Sequence, residues 1–89
     1  EAQAEVEAAT KKATLVPLVV AERAREVRQI VESLRPISNP KMASDLTMGV
    51  SLARAAAEGA LANVEINLGD IKDEAFIADV RQRVAAVRS

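Results

Sequence analysis

Apolar positions return at helical intervals through the first third of the chain. Ala2, Val6, Ala9, Ala13, Val16, Val20, Val27, Ile30 and Leu34 step by four and three, with Arg23 in one expected slot and Ala24 beside it as a substitute. This period predicts a helix over 2–34. Pro17 lies inside it and removes one backbone donor, so a kink or a division into two helices is expected there. Glu22, Arg25, Glu26 and Arg28 fall off the stripe and read as a solvated face.

The segment RPISNPK, residues 35–41, breaks the pattern. Asn39 followed by Pro40 makes a good helix start, with Ser44 or Asp45 as alternative caps. A second helix then runs to about Leu68, and Gly69 marks its end. Asp70 or Asp73 caps a third, whose apolar stripe is Phe76, Val80, Val84 and Val87, with Arg81, Arg83 and Arg88 towards its end. Only VEIN, residues 64–67, alternates as a strand does, and it continues the helical phase. The fold class expected is all-α, a long-helix bundle of about three helices.

At 100° per residue, Asp45, Gly49, Leu52, Ala56, Gly59, Asn63 and Asn67 share one narrow sector of the second helix. Glycine inside a helix costs about 1 kcal/mol relative to alanine, so a stripe of small residues calls for a compensating close approach. That approach is by a neighbouring helix or by a ligand. The plainer reading makes Gly49, Ala56 and Gly59 a packing seam, Asp45 a helix-terminal charge, and Asn63 and Asn67 local hydrogen-bonders. Lys41, Arg35 and Arg54 read as surface charges.

Composition narrows the chemistry. In 89 residues there are 12 basic and 13 acidic side chains, a net charge of −1, and neither cysteine nor histidine. No basic block or aromatic platform supports nucleic-acid binding. Acid–base work falls to carboxylates or lysines, and zinc loses its usual ligands. Phe76 is the single aromatic residue. A core of alanine and valine buries little area, at about 0.8 kcal/mol per methylene, so the bundle is expected to be completed by another chain or by a missing half. The chain opens EAQAEVEAAT, already in helical pattern and without a methionine, and reads as a fragment, a domain or a processed product. No apolar run approaches the roughly 20 residues of a membrane span, and no signal peptide is apparent. A cytoplasmic protein is expected.

Several elements occur in a telling order. Ala13-Thr14 and Pro17-Leu18 come first, then Asn39 ahead of Ser44-Asp45. Gly59-Ala60-x-x-Asn63-Val64-x-Ile66-Asn67-Leu68 follows, and Lys72-Asp73-Glu74-Ala75-Phe76 closes the series. The chain resembles the C-terminal half of the formiminotransferase-cyclodeaminase C-terminal domain family. That family takes in formiminotetrahydrofolate cyclodeaminases and the similar methenyltetrahydrofolate cyclohydrolases. The resemblance covers nearly the whole chain and is strongest from 39 to 76.

The resemblance implies an all-helical fold that assembles as a dimer and acts on one-carbon tetrahydrofolate. The cyclodeaminase closes 5-formiminotetrahydrofolate to 5,10-methenyltetrahydrofolate with loss of ammonia; the cyclohydrolase opens the methenyl ring with water. Neither needs a metal, and the tetrahydrofolate derivative is a substrate and not a cofactor. On this reading Asp45 is the catalytic or pterin-binding carboxylate. Asn39, Asn63 and Asn67 are polar substrate contacts, and Lys41 or Arg54 meets the glutamate tail. Family members are about twice as long, and this chain lacks their N-terminal Pro-Gly-Gly-Gly-Ser/Ala-like segment. The expected domain is therefore residues 1–89, a single helical piece of a larger cyclodeaminase-like domain. The alternative is a non-catalytic helical interaction module that kept the packing seam alone.

Overall fold

The computed structural model describes residues 2–89, and Glu1 lies outside the described residues. Three α-helices follow one another: α1 (Ala2–Ser33), α2 (Pro40–Leu68) and α3 (Glu74–Arg88), with a 3₁₀ turn, Arg35–Ile37, between the first two. No strand occurs among the described residues, so the class is all-α. No helix is long and apolar enough to cross a membrane among those residues.

Pro17 does not divide α1, which runs unbroken through it. Of the kink or division expected there, the division does not occur, and packing accounts for it. Leu18 and Ala21 are fully buried just after the proline, and buried Thr14 donates its Oγ1 hydroxyl to the Thr10 carbonyl at 2.7 Å just before it. One lost backbone bond is not enough to open turns anchored on both sides.

The helix ends follow side-chain chemistry. Asn39 Oδ1 accepts from the Met42 N–H at 2.9 Å, with Pro40 opening α2. Gly69 closes α2 at φ −62°, in the right-handed region, donating its N–H to the Ile66 carbonyl. Asp73, and not Asp70, caps α3: its Oδ1 accepts from the Phe76 N–H at 3.1 Å.

The short connection between α1 and α2 makes them an antiparallel hairpin. Ion pairs then orient α3. Lys11 and Glu22 of α1 meet Asp73 and Arg83, while Glu65 and Glu58 of α2 meet Arg81 and Arg88. Residue numbers rise together against α1 and in opposition against α2, so α3 runs parallel to α1 and antiparallel to α2. Leu18, Ala21, Ala57, Leu61, Val64, Leu68, Ile71, Val80, Val84 and Val87 form the core where the three helices meet. Beyond the end of α3 the hairpin continues as a two-helix arm, in which Val50 is buried and Val31 lies 3.8 Å from where a Cβ on Gly49 would stand.

The α1 stripe read from the sequence is not this core. Val6, Val16, Val27 and Ile30 are 64%, 67%, 51% and 63% exposed, and Val20 is half exposed. The buried face of α1 is Thr14, Leu18 and Ala21. The small-residue stripe of α2 divides: Gly49 faces Val31 of α1, whereas Leu52 is 65% exposed and a Cβ on Gly59 would meet nothing within 4 Å. Periodicity located these apolar faces, but the helices of this chain leave most of each uncovered. The molecule measures 59 × 17 × 14 Å, and its 16.4 Å radius of gyration exceeds the roughly 12 Å of a compact domain this long.

Candidate functional site

Antiparallel pairing brings the first element of the sequence signature against its third. Ala13, Val16, Pro17 and Val20 of α1 face Ala60, Asn63 and Asn67 of α2 across an open groove of about 390 Å³. Thr14 and Leu18, the other members of the first element, turn inward to the core. The Ala-Thr-x-x-Pro-Leu segment thus alternates its duties by helical phase, two positions lining the groove and two holding α1 in place. Asn63 is exposed and Asn67 half-buried. Their amides offer both donors and acceptors beside an apolar wall. The aliphatic residues form the floor of this shallow groove, and the two amides lie along its edge.

The remaining predicted site residues lie elsewhere. Asp45 and Lys41 are exposed near the start of α2. Asp45 precedes Asn63 by 18 residues, about 27 Å along a straight helix. Asn39 is occupied at its Oδ1 by the cap to Met42, leaving its NH₂ group for any other contact. The structure therefore brings Asn63 and Asn67 together and sets Asn39, Lys41 and Asp45 apart at the opposite end of α2. Among the described residues no three His, Cys, Asp or Glu side chains gather as a metal cluster.

The strongest electrostatics hold the helices in register. Lys11 Nζ donates to Asp73 Oδ2 at 2.7 Å and stands 5.5 Å from the Phe76 ring centre. That hydrogen bond holds the Asp73 carboxyl below its ordinary range, aided by the Phe76 N–H, and raises Lys11. Arg83 grips Glu22 with two hydrogen bonds of 2.9 and 2.6 Å. They lower the Glu22 carboxyl and raise the Arg83 guanidinium. Each pair is half-exposed and joins α3 to α1, which identifies them as positioning contacts for the scaffold that presents the groove.

The family model for formiminotransferase-cyclodeaminase matches residues 1–86. The chain belongs to the formiminotransferase-cyclodeaminase family. It is 35% identical over 77 residues to formimidoyltransferase-cyclodeaminase of Sus scrofa, a match that takes in 86% of this chain and 14% of that protein. The chain thus spans about one-seventh of the length of this relative. No solved structure matches it.

In this member of the formiminotransferase-cyclodeaminase family, the sequence signature maps onto one surface only in part. Its first and third elements share the groove, and Ser44-Asp45 does not join them. Arg54, the alternative contact for the glutamate tail, lies in a second concavity, which it lines with Arg25, Arg28 and Arg88. Arg25 and Arg28 are half-buried there and not part of a fully solvated face. Four arginines scattered on three helices leave no local pattern, and only the packing of α3 unites them.

Proposed function

We propose that this chain forms part of a tetrahydrofolate-acting enzyme domain, a cyclodeaminase or a methenyltetrahydrofolate cyclohydrolase. The observation that carries the reading is the groove, in which Ala13 and Pro17 stand opposite Asn63 and Asn67 in a chain of this family. In this proposal the pterin lies on the aliphatic wall, and the two amides hydrogen-bond its edge. Asp45 supplies the carboxylate for proton transfer, with Asn39 and Lys41 beside it contacting other parts of the substrate. Because Asp45 is about 27 Å from Asn63 along α2, the two ends serve one substrate only if another chain carries the facing parts. The uncovered faces of α1 and α2 are where such a chain, a second copy or the rest of the family domain, packs.

A second reading follows from those faces. A long, uncovered, apolar hairpin is also what a purely assembling module requires. Turnover separates the two. The 89-residue chain, alone and mixed with the N-terminal half of a family member, is assayed for conversion of formimino- and methenyltetrahydrofolate. Activity lost in Asp45→Ala, with helicity and assembly unchanged, supports the enzyme. Silence from a helical, assembled mixture establishes the module in its place.

A further inference from the structure

We propose that the cleft at the C-terminal end of α3 binds a compact, multiply charged oxyanion, a phosphate or a polycarboxylate. The cleft is separate from the asparagine groove and shares with the folate reading only Arg54. The cleft, of about 280 Å³, is lined by Arg25 and Arg28 from α1, Arg54 from α2 and Arg88 from α3, with Glu58 as its one acidic member. Ala24, Ala53, Ala57 and Val87 give it apolar walls. Four arginines and one glutamate thus line one cleft, although the whole chain carries a net charge of −1.

The surrounding carboxylates are already engaged. Glu22 is held by Arg83 at 2.6 Å and Glu26 by Arg23 at 2.9 Å. Glu58 meets Arg88 at 3.4 Å, the loosest of these contacts. Among the described residues, Arg25, Arg28 and Arg54 make no ion pair. The Arg25 Nε–H is also shut off from water and finds no acceptor. Three arginines without a carboxylate partner beside one cleft repel one another. A multivalent oxyanion in the cleft relieves that repulsion. Guanidinium forks match the paired oxygens of phosphate and carboxylate alike.

Calorimetric titration and thermal scans of the 89-residue chain test this, with sodium phosphate and with citrate, at an ionic strength held constant by sodium chloride. Saturable binding is expected, weakened at least tenfold by the double substitution Arg28→Gln/Arg54→Gln with helicity retained. Arg81→Gln, on α3 but outside the cleft, leaves it unchanged. Tighter binding of one anion identifies the source as phosphate or carboxylate. Arg54→Gln alone, at an exposed position, is expected to weaken binding at least threefold and serves if the double variant unfolds. No saturable binding of either anion above chloride, or binding that survives the substitutions, overturns the proposal.

Discussion

Asp73 carries two duties with one carboxylate: Oδ1 caps α3 through the Phe76 N–H, and Oδ2 accepts from Lys11. Both favour its charged form and hold its carboxyl below the ordinary value of 3.8; Glu22 is held below 4.5 by Arg83 in the same sense. The unfolded chain then binds more protons than the folded one across the acid range. The stability these groups contribute is complete above the ordinary carboxylate range and is lost as pH falls through their lowered values. Thermal unfolding followed from pH 7 to pH 2 should show a steep acid limb, flattened in Glu22→Gln. Burial separates two leucines in the same way. Leu61→Ala, at a fully buried position, should cost about 2–5 kcal/mol. Leu52→Ala, 65% exposed, should stay within about 0.5 kcal/mol by urea denaturation. Asn39→Ala removes a cap that holds the Met42 N–H and should cost about 1 kcal/mol by the same measurement.

At the scale of elements, the glycines of α2 make the sharpest test. Gly59 has open space where a Cβ would stand. Gly59→Ala should therefore stabilise the isolated chain by about 1 kcal/mol, raising Tm by about 4–8 °C. If a partner helix packs on that stripe, the same change should weaken assembly in sedimentation. α3 was the most legible helix, because its cap, its stripe and the surface it covers all lie within the chain; Val80, Val84 and Val87 are buried as the period predicts. α1 was half legible. Its apolar phase is plain, but periodicity reports which face is apolar and not what lies against it, so the exposure of Val16 and Ile30 was hidden. The continuity through Pro17 was hidden too, since it depends on Leu18 and Ala21 meeting another helix. Of the candidate site, Asn63 and Asn67 were legible from their motif, while their meeting with Ala13 and Pro17 required the hairpin to close. The arginine cleft required the third helix as well.

For the whole molecule, an extended shape and two uncovered apolar faces point to association. Sedimentation velocity should show a species heavier than the 9.5 kDa monomer at rising concentration, or on addition of the N-terminal half of a family member. Val20→Glu, in the groove wall, should suppress it without loss of helicity. The two-helix arm has a separate consequence for motion. Its amide hydrogens should exchange with solvent sooner than those around Leu61 and Val64, because opening the arm breaks one helix contact where opening the core breaks two. Asn39, Lys41 and Asp45 ride on that arm, whereas Asn63 and Asn67 sit on the protected end. Slow exchange at Asp45 would then become a reporter of partner capture, readable before any reaction is measured.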